Sequence, residues 1–541
     1  MKRIITILIC VSFLFSLSSC TKQATTSKTT SVIKQEEGST AVPSGTGTIA
    51  LAFSSTDSLN PYQSVTDLNR NLSTLMFDSL IKLDLNYKPV YELGEDITLD
   101  DKNCTIRLKS AVFSDGTEVT AEDVTYSLKA AKSSALYSTQ LAGIASYNAA
   151  SKKVLTIKLS RYDKYFINLL DFPIYKMNSD SRKSDDNKSL PPIGSGKYIY
   201  SENGGKYTLK PNEHYRGDQV LNSISLLHTP DEEALSHIIS VGGIDMYYSD
   251  LKDQKLPKLS GKQMAVPLTN FVYLGINSTA GVLNNAYLRT ALSNAIDRKS
   301  ICENSYYTYA TPAITPFPQN FAEASSYKNL GTNENSAKVI ENLSKAGYNN
   351  KDKAGFYINS KNAKITVKLL YNKENAFRAA AAAEIAETMQ TMGINLIADG
   401  RSFSEYSAMV TSKNYELYLG EVKLNKDLDL SPLFAGTIIN FPPAVTTVPT
   451  TTATTAQTTT KKKTDDAAAN SALPDSKLMT LFKAYSGNGE GFEDFMDEYF
   501  NTMPFIPVCY RSGVLLYSSK LQNTPAPHIS DIFYNIDKLS K

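Results

Sequence analysis

A strand–helix–strand pattern in the second half of the chain most constrains the fold. The alternating segment Lys364 to Leu370 predicts a strand, and the alanine-rich segment Phe377 to Met392 predicts a helix. Gly393 is expected to end that helix, and Ile394 to Ile397 predicts a second strand. A helical crossover is the usual connection between parallel strands. We therefore expect an α/β fold with a partly parallel sheet.

Short strands and helices are mixed through the first half of the chain as well. Thr48 to Phe53, Cys104 to Lys109 and Val154 to Leu159 have the apolar content or alternation that is typical of strands. Thr120 is a preferred residue at the start of a helix, and Asp123 would lie in the first turn, where negative charge is favourable. These elements indicate mixed sheets with helices packed against them.

The first 19 residues have the composition of a signal peptide. Lys2 and Arg3 precede an apolar run from Ile4 to Leu17, which is shorter than the roughly 20 residues of a membrane-spanning helix. The segment ends in Leu-Ser-Ser-Cys, which resembles a bacterial lipobox with Cys20 as the residue that receives the lipid. The alternative is an ordinary secretory signal with an incidental cysteine. We expect a lipidated Cys20, because the cysteine falls at the cleavage point. Acyl chains contribute about 0.8 kcal/mol per buried CH₂, so they would hold the protein on a membrane surface.

Two further segments have compositions that do not form a packed core. Residues 20–46 are rich in Thr, Ser and Lys, and they are predicted to be a flexible tether between the lipid and the folded body. Residues 442–469 contain a Thr/Ala tract and are predicted to be a disordered insertion in a surface loop. No segment after the leader is apolar enough to span a membrane, so we expect a soluble, tethered body.

Composition argues against several classes of function. The formal net charge of +2 gives no basic field for nucleic-acid binding, so no nucleic-acid partner is expected. Cys104, Cys302 and Cys509 remain after the leader is removed and Cys20 is used, and their spacing is not that of metal ligands. We interpret them as small buried hydrophobic residues and expect no metal and no cofactor. The 32 tyrosines suit a cleft that is apolar and also forms hydrogen bonds.

Four groups of motifs, each weak alone, follow one another across the mature chain. They resemble, in the same order, the signatures of the extracellular solute-binding proteins of family 5, which include the dipeptide- and oligopeptide-binding lipoproteins of ABC transporters. The motifs are FSDGTEVTAEDV (113–124), GSGKY and LKPNEHY (194–198 and 209–215), YLGIN and LRTALSNAIDR (273–277 and 288–298), and PFIPVCYR (504–511).

The resemblance implies a two-lobed fold of the periplasmic-binding-protein type (type II, the large "cluster C" kind), with mixed sheets and a hinged cleft. Lobe I would comprise residues 47–269 with a C-terminal return at 505–541, and lobe II residues 270–504. Two crossings, near Thr269–Asn270 and near Pro504–Phe505, would form the hinge. Phe505 to Tyr510 would be a strand that re-enters the first sheet.

The resemblance also implies the function. Such a protein is not an enzyme: it captures a peptide between its lobes and delivers it to the permease subunits of an ABC transporter. A lipid anchor would hold it on the extracytoplasmic face of the cell membrane, and we expect a monomer. Lobe closure expels water, which strengthens each polar contact with the ligand.

The acidic anchor for a peptide's amino group is ambiguous in this sequence. Relatives have a motif resembling W-x-x-D-x-x-[DE]-P, whereas this chain reads LGEVKLNKDLDLSP (419–432) and lacks the tryptophan. Asn425, Asp427 and Asp429 each fit the anchor position, and Glu421 is nearby. We favour Asp427 or Asp429, with a solvated charged loop as the alternative interpretation.

Other candidate ligand contacts stand next to predicted strands. Asn60 lies in a Ser-Leu-Asn-Pro segment, Asn277 ends a strand, and Tyr371 and Asn372 follow another. Open α/β sheets bind ligands beyond the carboxyl ends of their strands. Arg378 could contact a ligand carboxylate or face solvent at the start of its helix.

Most of the motif residues are interpreted as scaffold. Gly194 and Gly196 could provide backbone bends that side chains would obstruct. Arg289, Asp297 and Arg298 are predicted on an amphipathic helix, where structural ion pairs are expected.

Three alternatives to a peptide carrier stay open. The same fold could bind a non-peptide solute (an oligosaccharide, a nickel chelate or haem), because fold alone does not decide the ligand. It could also act as a ligand-sensing receptor. Ser79 and Lys82 match the S-x-x-K motif of serine acyl-enzymes, but clear K-T-G and S-D-N companions are missing from the sequence.

Overall fold

A computed structural model describes residues 48–218, 222–254, 261–327, 330–434 and 477–541. The predicted signal peptide, the tether and the Thr-rich insertion lie outside the described residues.

Strands are distributed over the whole described chain. In order they are β1 (Ile49–Phe53), β2 (Ile81–Leu83), β3 (Pro89–Tyr91), β4 (Gly94–Asp100), β5 (Asn103–Leu108), β6 (Ile144–Ser151), β7 (Val154–Leu159), β8 (Tyr198–Asn203), β9 (Lys206–Pro211), β10 (Ile224–His228), β11 (Met246–Ser249), β12 (Lys262–Ile276), β13 (Ala310–Pro312), β14 (Asn350–Lys351), β15 (Tyr357–Ile358), β16 (Thr366–Asn372), β17 (Asn395–Arg401), β18 (Leu417–Lys423) and β19 (Phe505–Tyr517).

Helices alternate with these strands. They are α1 (Asp67–Met76), α2 (Ala121–Ser133), α3 (Glu232–Ser240), α4 (Ala286–Asn294), α5 (Arg298–Asn304), α6 (Ser336–Lys345), α7 (Ala376–Thr391), α8 (Phe403–Thr411), α9 (Ser431–Phe434), α10 (Lys477–Asn488) and α11 (Phe492–Thr502). Short 3₁₀ turns occupy Phe166–Leu169, Gly281–Asn284, Glu323–Tyr327 and Ile536–Lys538.

One mixed sheet of eleven strands runs through the body. Its order is β17-β16-β18-β12-β19-β11-β1-β10-β9-β8, and β13 pairs with β19 from outside this path. A separate four-stranded sheet has the order β4-β5-β7-β6. The α/β class predicted from the sequence is therefore confirmed.

The strand–helix–strand prediction is confirmed in detail. β16 and β17 pair in parallel, with Thr366 opposite Asn395, and α7 connects them. The side chain of Asn375 caps α7 by accepting from the backbone N–H of Arg378. Gly393 follows the helix at φ 85°, a left-handed conformation that glycine adopts without a Cβ penalty.

The predicted helix at Thr120 is confirmed as α2. The Thr120 hydroxyl caps the backbone N–H of Asp123, and the Asp123 carboxylate accepts from the backbone N–H of Thr120 over 2.9 Å. This reciprocal capping box satisfies two donors that the first helical turn leaves free. Beside the helix, the predicted strands around Cys104 and Val154 form the antiparallel pair β5–β7.

Hydrophobic side chains form two large cores along the main sheet. The first core includes residues of β1, α1, α2, β5 and β7, such as Phe53 and Phe113, and the part of the chain around it is called lobe I below. The second core includes residues of β12, α4, β16, α7 and β18, such as Phe271 and Leu369, and the part of the chain around it is called lobe II. β19 contributes to both cores, since Ile506 belongs to the second and Leu515 to the first.

The motif glycines have a packing role in lobe I. A Cβ added to Gly194 would lie 2.0 Å from the carbonyl oxygen of Met76, and one added to Gly196 would lie 2.5 Å from its carbonyl carbon. The backbone N–H of Gly196 donates to that same carbonyl oxygen over 3.0 Å. The residues at 194 and 196 therefore pack backbone against backbone at the end of α1.

The motif arginines are structural, but not through the ion pairs that the sequence predicted. Arg289 donates from Nε to the Thr502 carbonyl over 3.0 Å, and Arg298 donates from Nε to the carbonyls of Ala313 and Pro507, each over 2.9 Å. Asp297 caps α5 instead of pairing with an arginine. Backbone carbonyls of neighbouring segments thus take the place of the predicted carboxylates.

Candidate functional site

The two cores meet where β12 and β19 pass from one to the other. The pairing of these strands is irregular between Pro267, which lies opposite Ser512, and Phe271, which lies opposite Tyr510. The hydroxyl of Thr269 lies in this interruption and donates to the Leu424 carbonyl over 2.6 Å. A break in the ladder leaves fewer bonds to resist bending, so this region suits a hinge.

The positions of the predicted crossings can be compared with this irregularity. Thr269–Asn270 falls inside it. On β19 the pairing is interrupted at Arg511, which lies between Tyr510 and Ser512. Phe505, at the predicted crossing, lies six residues earlier and pairs with Gly275 in lobe II. The strand pairing thus favours a crossing near Arg511, and the lobe boundaries derived from Pro504–Phe505 stay a prediction.

A buried ion cluster lies beside the crossing. Glu421, on β18, is 7% exposed and accepts from Arg511 Nε over 2.8 Å and from Arg378 Nη2 over 2.9 Å. Asn270 Nδ2 donates to the same carboxylate over 2.7 Å. Burial alone would raise the pKa of Glu421, but the two arginines and Asn270 lower it to about 2. The carboxylate is therefore ionised and neutralised by the protein's own cations.

The start of α7 is a contact point between the lobes. The backbone N–H of Ala376, in the first turn of α7, donates to Oε1 of Gln254 over 2.8 Å, and Gln254 follows lobe I strand β11. Two residues later, Arg378 enters the ion cluster. The carboxyl end of β16 and the amino end of α7 thus face lobe I, as expected for an open α/β sheet.

A second polar contact between the lobes surrounds Asp427. Asp427 is 8% exposed and lies beside Asp163 of lobe I, close enough for a hydrogen bond between the two carboxyl groups. Burial, followed by the charges of Asp163 and Asp429, raises the pKa of Asp427 well above its usual range. Burial also raises the pKa of Asp163. Because both groups favour protonation, they can share a proton in this conformation.

Charged groups flank this carboxyl pair. Arg161 Nη2 donates to Asp429 Oδ2 over 2.5 Å, and Lys426 forms an ion pair with Asp171 of lobe I. A cavity of about 30 Å³ lies beside the carboxyl pair and is lined by Asp427, Asp163 and the rings of Phe482 and Tyr485. It is large enough for a water molecule and too small for a peptide.

The predicted asparagines are used locally. Asn60 Oδ1 accepts from the backbone N–H of Tyr62 over 3.0 Å, which closes a turn. Asn372 Oδ1 accepts from the backbone N–H of Glu374 over 3.0 Å, just before α7. At Asn425 it is the backbone carbonyl oxygen that accepts, from the backbone N–H of Leu428 over 3.0 Å. These contacts hold backbone turns, and each role in ligand binding stays a prediction.

The structure brings some of the predicted residues together and separates one. Tyr371 and Asn372 end β16, which runs parallel to β18, so they share the sheet edge toward which Glu421 and Asp427 lie. β12 runs antiparallel to β18, and its end places Asn277 at the opposite edge. There Asn277 Nδ2 donates to the Tyr415 carbonyl over 3.1 Å.

Ser79 and Lys82 do not form a nucleophile–base pair. Ser79 Oγ donates to the Ile81 carbonyl over 2.6 Å, and Lys82 Nζ pairs with Asp531 Oδ2 over 2.7 Å. Both residues are buried. The structure thus explains this motif by packing and an ion pair.

Sequence reasoning missed three groups near the lobe contacts. Asp163 has no local signal, since its partner is 264 positions away. Arg511 lies inside a recognised motif but was interpreted as scaffold. Tyr306, in the loop after α5, is 1% exposed and near the ion cluster, and its hydroxyl has no hydrogen-bond partner among the described residues. Only the abundance of tyrosine pointed toward such a role.

Within the described ranges, no helix is long and apolar enough to cross a membrane. Within the same ranges, no group of three His, Cys, Asp or Glu side chains is arranged to hold a metal ion. The three described cysteines, Cys104, Cys302 and Cys509, are buried and unbridged, which agrees with their interpretation as small hydrophobic residues.

Comparison with known sequences identifies a family and relatives. The family described as "Bacterial extracellular solute-binding proteins, family 5 Middle" matches residues 88–433. The glutathione-binding protein GsiB of Escherichia coli (strain K12) is 24% identical over 402 residues, 72% of this chain and 77% of that protein. The periplasmic murein peptide-binding protein MppA of the same strain is 27% identical over 354 residues, 59% of this chain and 64% of that protein.

Solved structures share the fold. The unliganded open form of the murein tripeptide-binding protein MppA aligns with a TM-score of 0.69 at 20% identity, over 92% of this chain and 99% of that one. A nickel ABC transporter protein from Bacillus halodurans also aligns with a TM-score of 0.69, at 19% identity, over 91% of this chain and 99% of that one. The two-lobed periplasmic-binding-protein fold is therefore confirmed.

Proposed function

The chain belongs to the bacterial extracellular solute-binding proteins of family 5, and on that basis we propose that it captures peptides between its lobes and delivers them to an ABC permease. The lobe contacts around the β12–β19 crossing carry this proposal. They include hydrogen bonds and ion pairs, such as Gln254 with Ala376 and Arg161 with Asp429. Polar contacts of this kind separate at little cost, because water replaces them.

The names of two relatives favour a peptide as the solute. GsiB is named for glutathione and MppA for murein peptide, and both align with most of the folded body. The nickel protein from Bacillus halodurans keeps a metal chelate as the second candidate, because its fold is equally similar. A sugar-binding protein or a sensing receptor would use the same cleft.

Within the cleft we assign the ligand's amino group to Asp427 in preference to Asp429. Asp429 already has the guanidinium of Arg161, whereas no lysine or arginine among the described residues forms an ion pair with Asp427. An incoming ammonium group would favour the ionised form of Asp427 and thereby replace the proton that it shares with Asp163. Glu421 is a weaker candidate because two arginines neutralise it.

Substitution of each aspartate in turn tests which one binds the amino group of the ligand. Asp427→Asn is expected to weaken peptide binding more than tenfold, because it removes a buried charge partner. Asp429→Asn is the matched control at the rim and should change affinity by less than about threefold. Calorimetric titration measures both. Equal, unchanged affinities would remove both aspartates as anchors.

Attachment to the membrane rests on Cys20, which lies outside the described residues. Lipid on Cys20 would keep the binding protein close to its permease and raise its effective concentration there. Intact mass spectrometry of the protein extracted from membranes should show a chain that begins at Cys20 and carries acyl groups. In a Cys20→Ser variant the acyl mass and the membrane fraction should both be lost. A lipid-free wild-type protein would contradict the anchor.

The function is tested by the ligand itself. The full-length protein is purified in detergent and denatured, and the released small molecules are identified by mass spectrometry. Peptides are expected, and they should bind again in calorimetry. Release of a sugar or a nickel chelate that binds again, with no peptide bound, would overturn the peptide assignment and leave the family intact.

A further inference from the structure

The loop after α5 has an unusual backbone. Tyr307 and Thr308 adopt φ values of 52° and 68°, so two consecutive non-glycine residues lie in the left-handed region. Such a conformation is a genuine outlier for a β-branched residue such as Thr308. Strained backbone persists only where its surroundings impose it, and it concentrates at ligand sites.

Contacts on both sides impose this conformation. The backbone N–H of Thr308 donates to the Cys302 carbonyl of α5 over 2.8 Å. On the other side, the backbone N–H of Ser512 in β19 donates to the Tyr309 carbonyl over 2.8 Å. The loop is therefore held between α5 and the strand that passes from one lobe to the other.

The strained loop presents two tyrosines differently. Tyr306 is 1% exposed, and its hydroxyl has no hydrogen-bond partner among the described residues, although the charges of Glu421, Arg378 and Arg511 are close enough to influence it. Buried hydroxyl groups almost always have a partner. The Tyr306 phenol is therefore a free donor beside a polar cluster, and none of the described residues supplies an acceptor oxygen for it.

Tyr307 points outward at the lobe contact. Its side chain is 55% exposed, and its ring meets the edge of Phe377 with centroids 6.2 Å apart. Phe377 follows Ala376, whose N–H donates to Gln254 of lobe I. The exposed Tyr307 ring thus contacts Phe377, the residue that follows the contact between Ala376 and Gln254.

We propose that this loop is a ligand-contacting element of the cleft. The Tyr306 hydroxyl donates to a carbonyl or carboxylate oxygen of the bound peptide, and the Tyr307 ring covers an apolar side chain of that peptide. This assignment rests on the proposed peptide-binding function and extends it to residues outside the anchor region around Asp427.

The test titrates three probes, tri-alanine, Ala-Phe-Ala and glutathione, into full-length protein in detergent. Tyr306→Phe should weaken binding about tenfold while the thermal midpoint stays equal or rises, because no described residue accepts a hydrogen bond from the lost hydroxyl. Tyr307→Ala should weaken binding of Ala-Phe-Ala about tenfold and that of tri-alanine less. Tyr287→Ala, a similarly exposed tyrosine on α4, is the control and should leave affinity unchanged.

The possible results distinguish failure of the loop assignment from failure of the peptide-binding function. If the wild type binds a probe and both variants keep its affinity within about twofold, the loop assignment is wrong while the peptide function stands. If the wild type binds none of the three, the peptide function and the loop assignment fail together. A fall in affinity of Tyr306→Phe that is matched by a lower thermal midpoint would assign the hydroxyl to folding and overturn its ligand role.

Discussion

Arg511 on β19 donates from Nε to Oε1 of Glu421 on β18 over 2.8 Å, inside the protein and beside the crossing between the lobes. Arg378 holds the other carboxylate oxygen, so one anion lies between two cations. The cluster joins β18, β19 and the start of α7. The Glu421 carboxylate therefore connects three elements that lie beside the crossing.

Removing the Glu421 carboxylate should lower the stability of the folded protein. Glu421→Gln takes from two buried guanidinium groups the carboxylate charge that they share, so we expect the free energy of unfolding to fall by about 3–5 kcal/mol. Urea denaturation measures the loss. Glu303→Gln is the control, because Glu303 and Lys299 form an exposed pair 4.0 Å apart, and it should change stability by less than about 0.5 kcal/mol. A loss below about 1 kcal/mol in Glu421→Gln would contradict the account of the cluster.

Asp427 should make stability depend on pH. A carboxyl group whose pKa is raised in the folded chain contributes fully below its ordinary pKa of about 4, and this contribution is lost as pH rises through the raised value. Asp427→Asn removes the titration. The difference in free energy of unfolding between Asp427→Asn and the wild type should therefore grow in favour of the variant from pH 4 to pH 8. Parallel pH profiles would show that Asp427 is ordinarily ionised in the folded protein.

Gly194 should not tolerate a side chain. A Cβ there would lie 2.0 Å from the Met76 carbonyl oxygen, and backbone cannot move aside as a flexible side chain can. Gly194→Ala is expected to lower the free energy of unfolding by at least about 2 kcal/mol. Gly143→Ala, where a Cβ meets nothing within 4 Å, is the control. Thermal melts of equal midpoint for the two variants would refute the packing role.

These cases show what the sequence could predict. Local signals near Thr120 and Gly393 specified helix ends because the residues that cap or end a helix are close in the chain. The partners of Glu421 are 90 positions away at Arg511 and 43 away at Arg378, and no local pattern encodes such distances. The acidic segment was recognised as important, but which carboxylate is neutralised depends on tertiary packing.

Backbone strain in the loop after α5 was equally invisible in the sequence. Thr308→Gly permits the same φ without a Cβ clash, so it should raise the free energy of unfolding by about 1 kcal/mol. Thr290→Gly, in the middle of α4, is the contrasting variant and should lose about 0.3 kcal/mol, because glycine is a poorer helix former than threonine. Chemical denaturation compares the two. Destabilisation of Thr308→Gly would mean that the left-handed backbone is not strained there.

The central claim is that a peptide is captured by closure of the two lobes. It is tested most directly by the distance between spin labels on Ser133→Cys in α2 and Glu387→Cys in α7, since the native described cysteines are buried. The peptide that the protein releases should narrow the distribution of distances between the two labels. Nickel–histidine or a sugar should leave that distribution unchanged. An unchanged distance distribution at saturating peptide would contradict the claim.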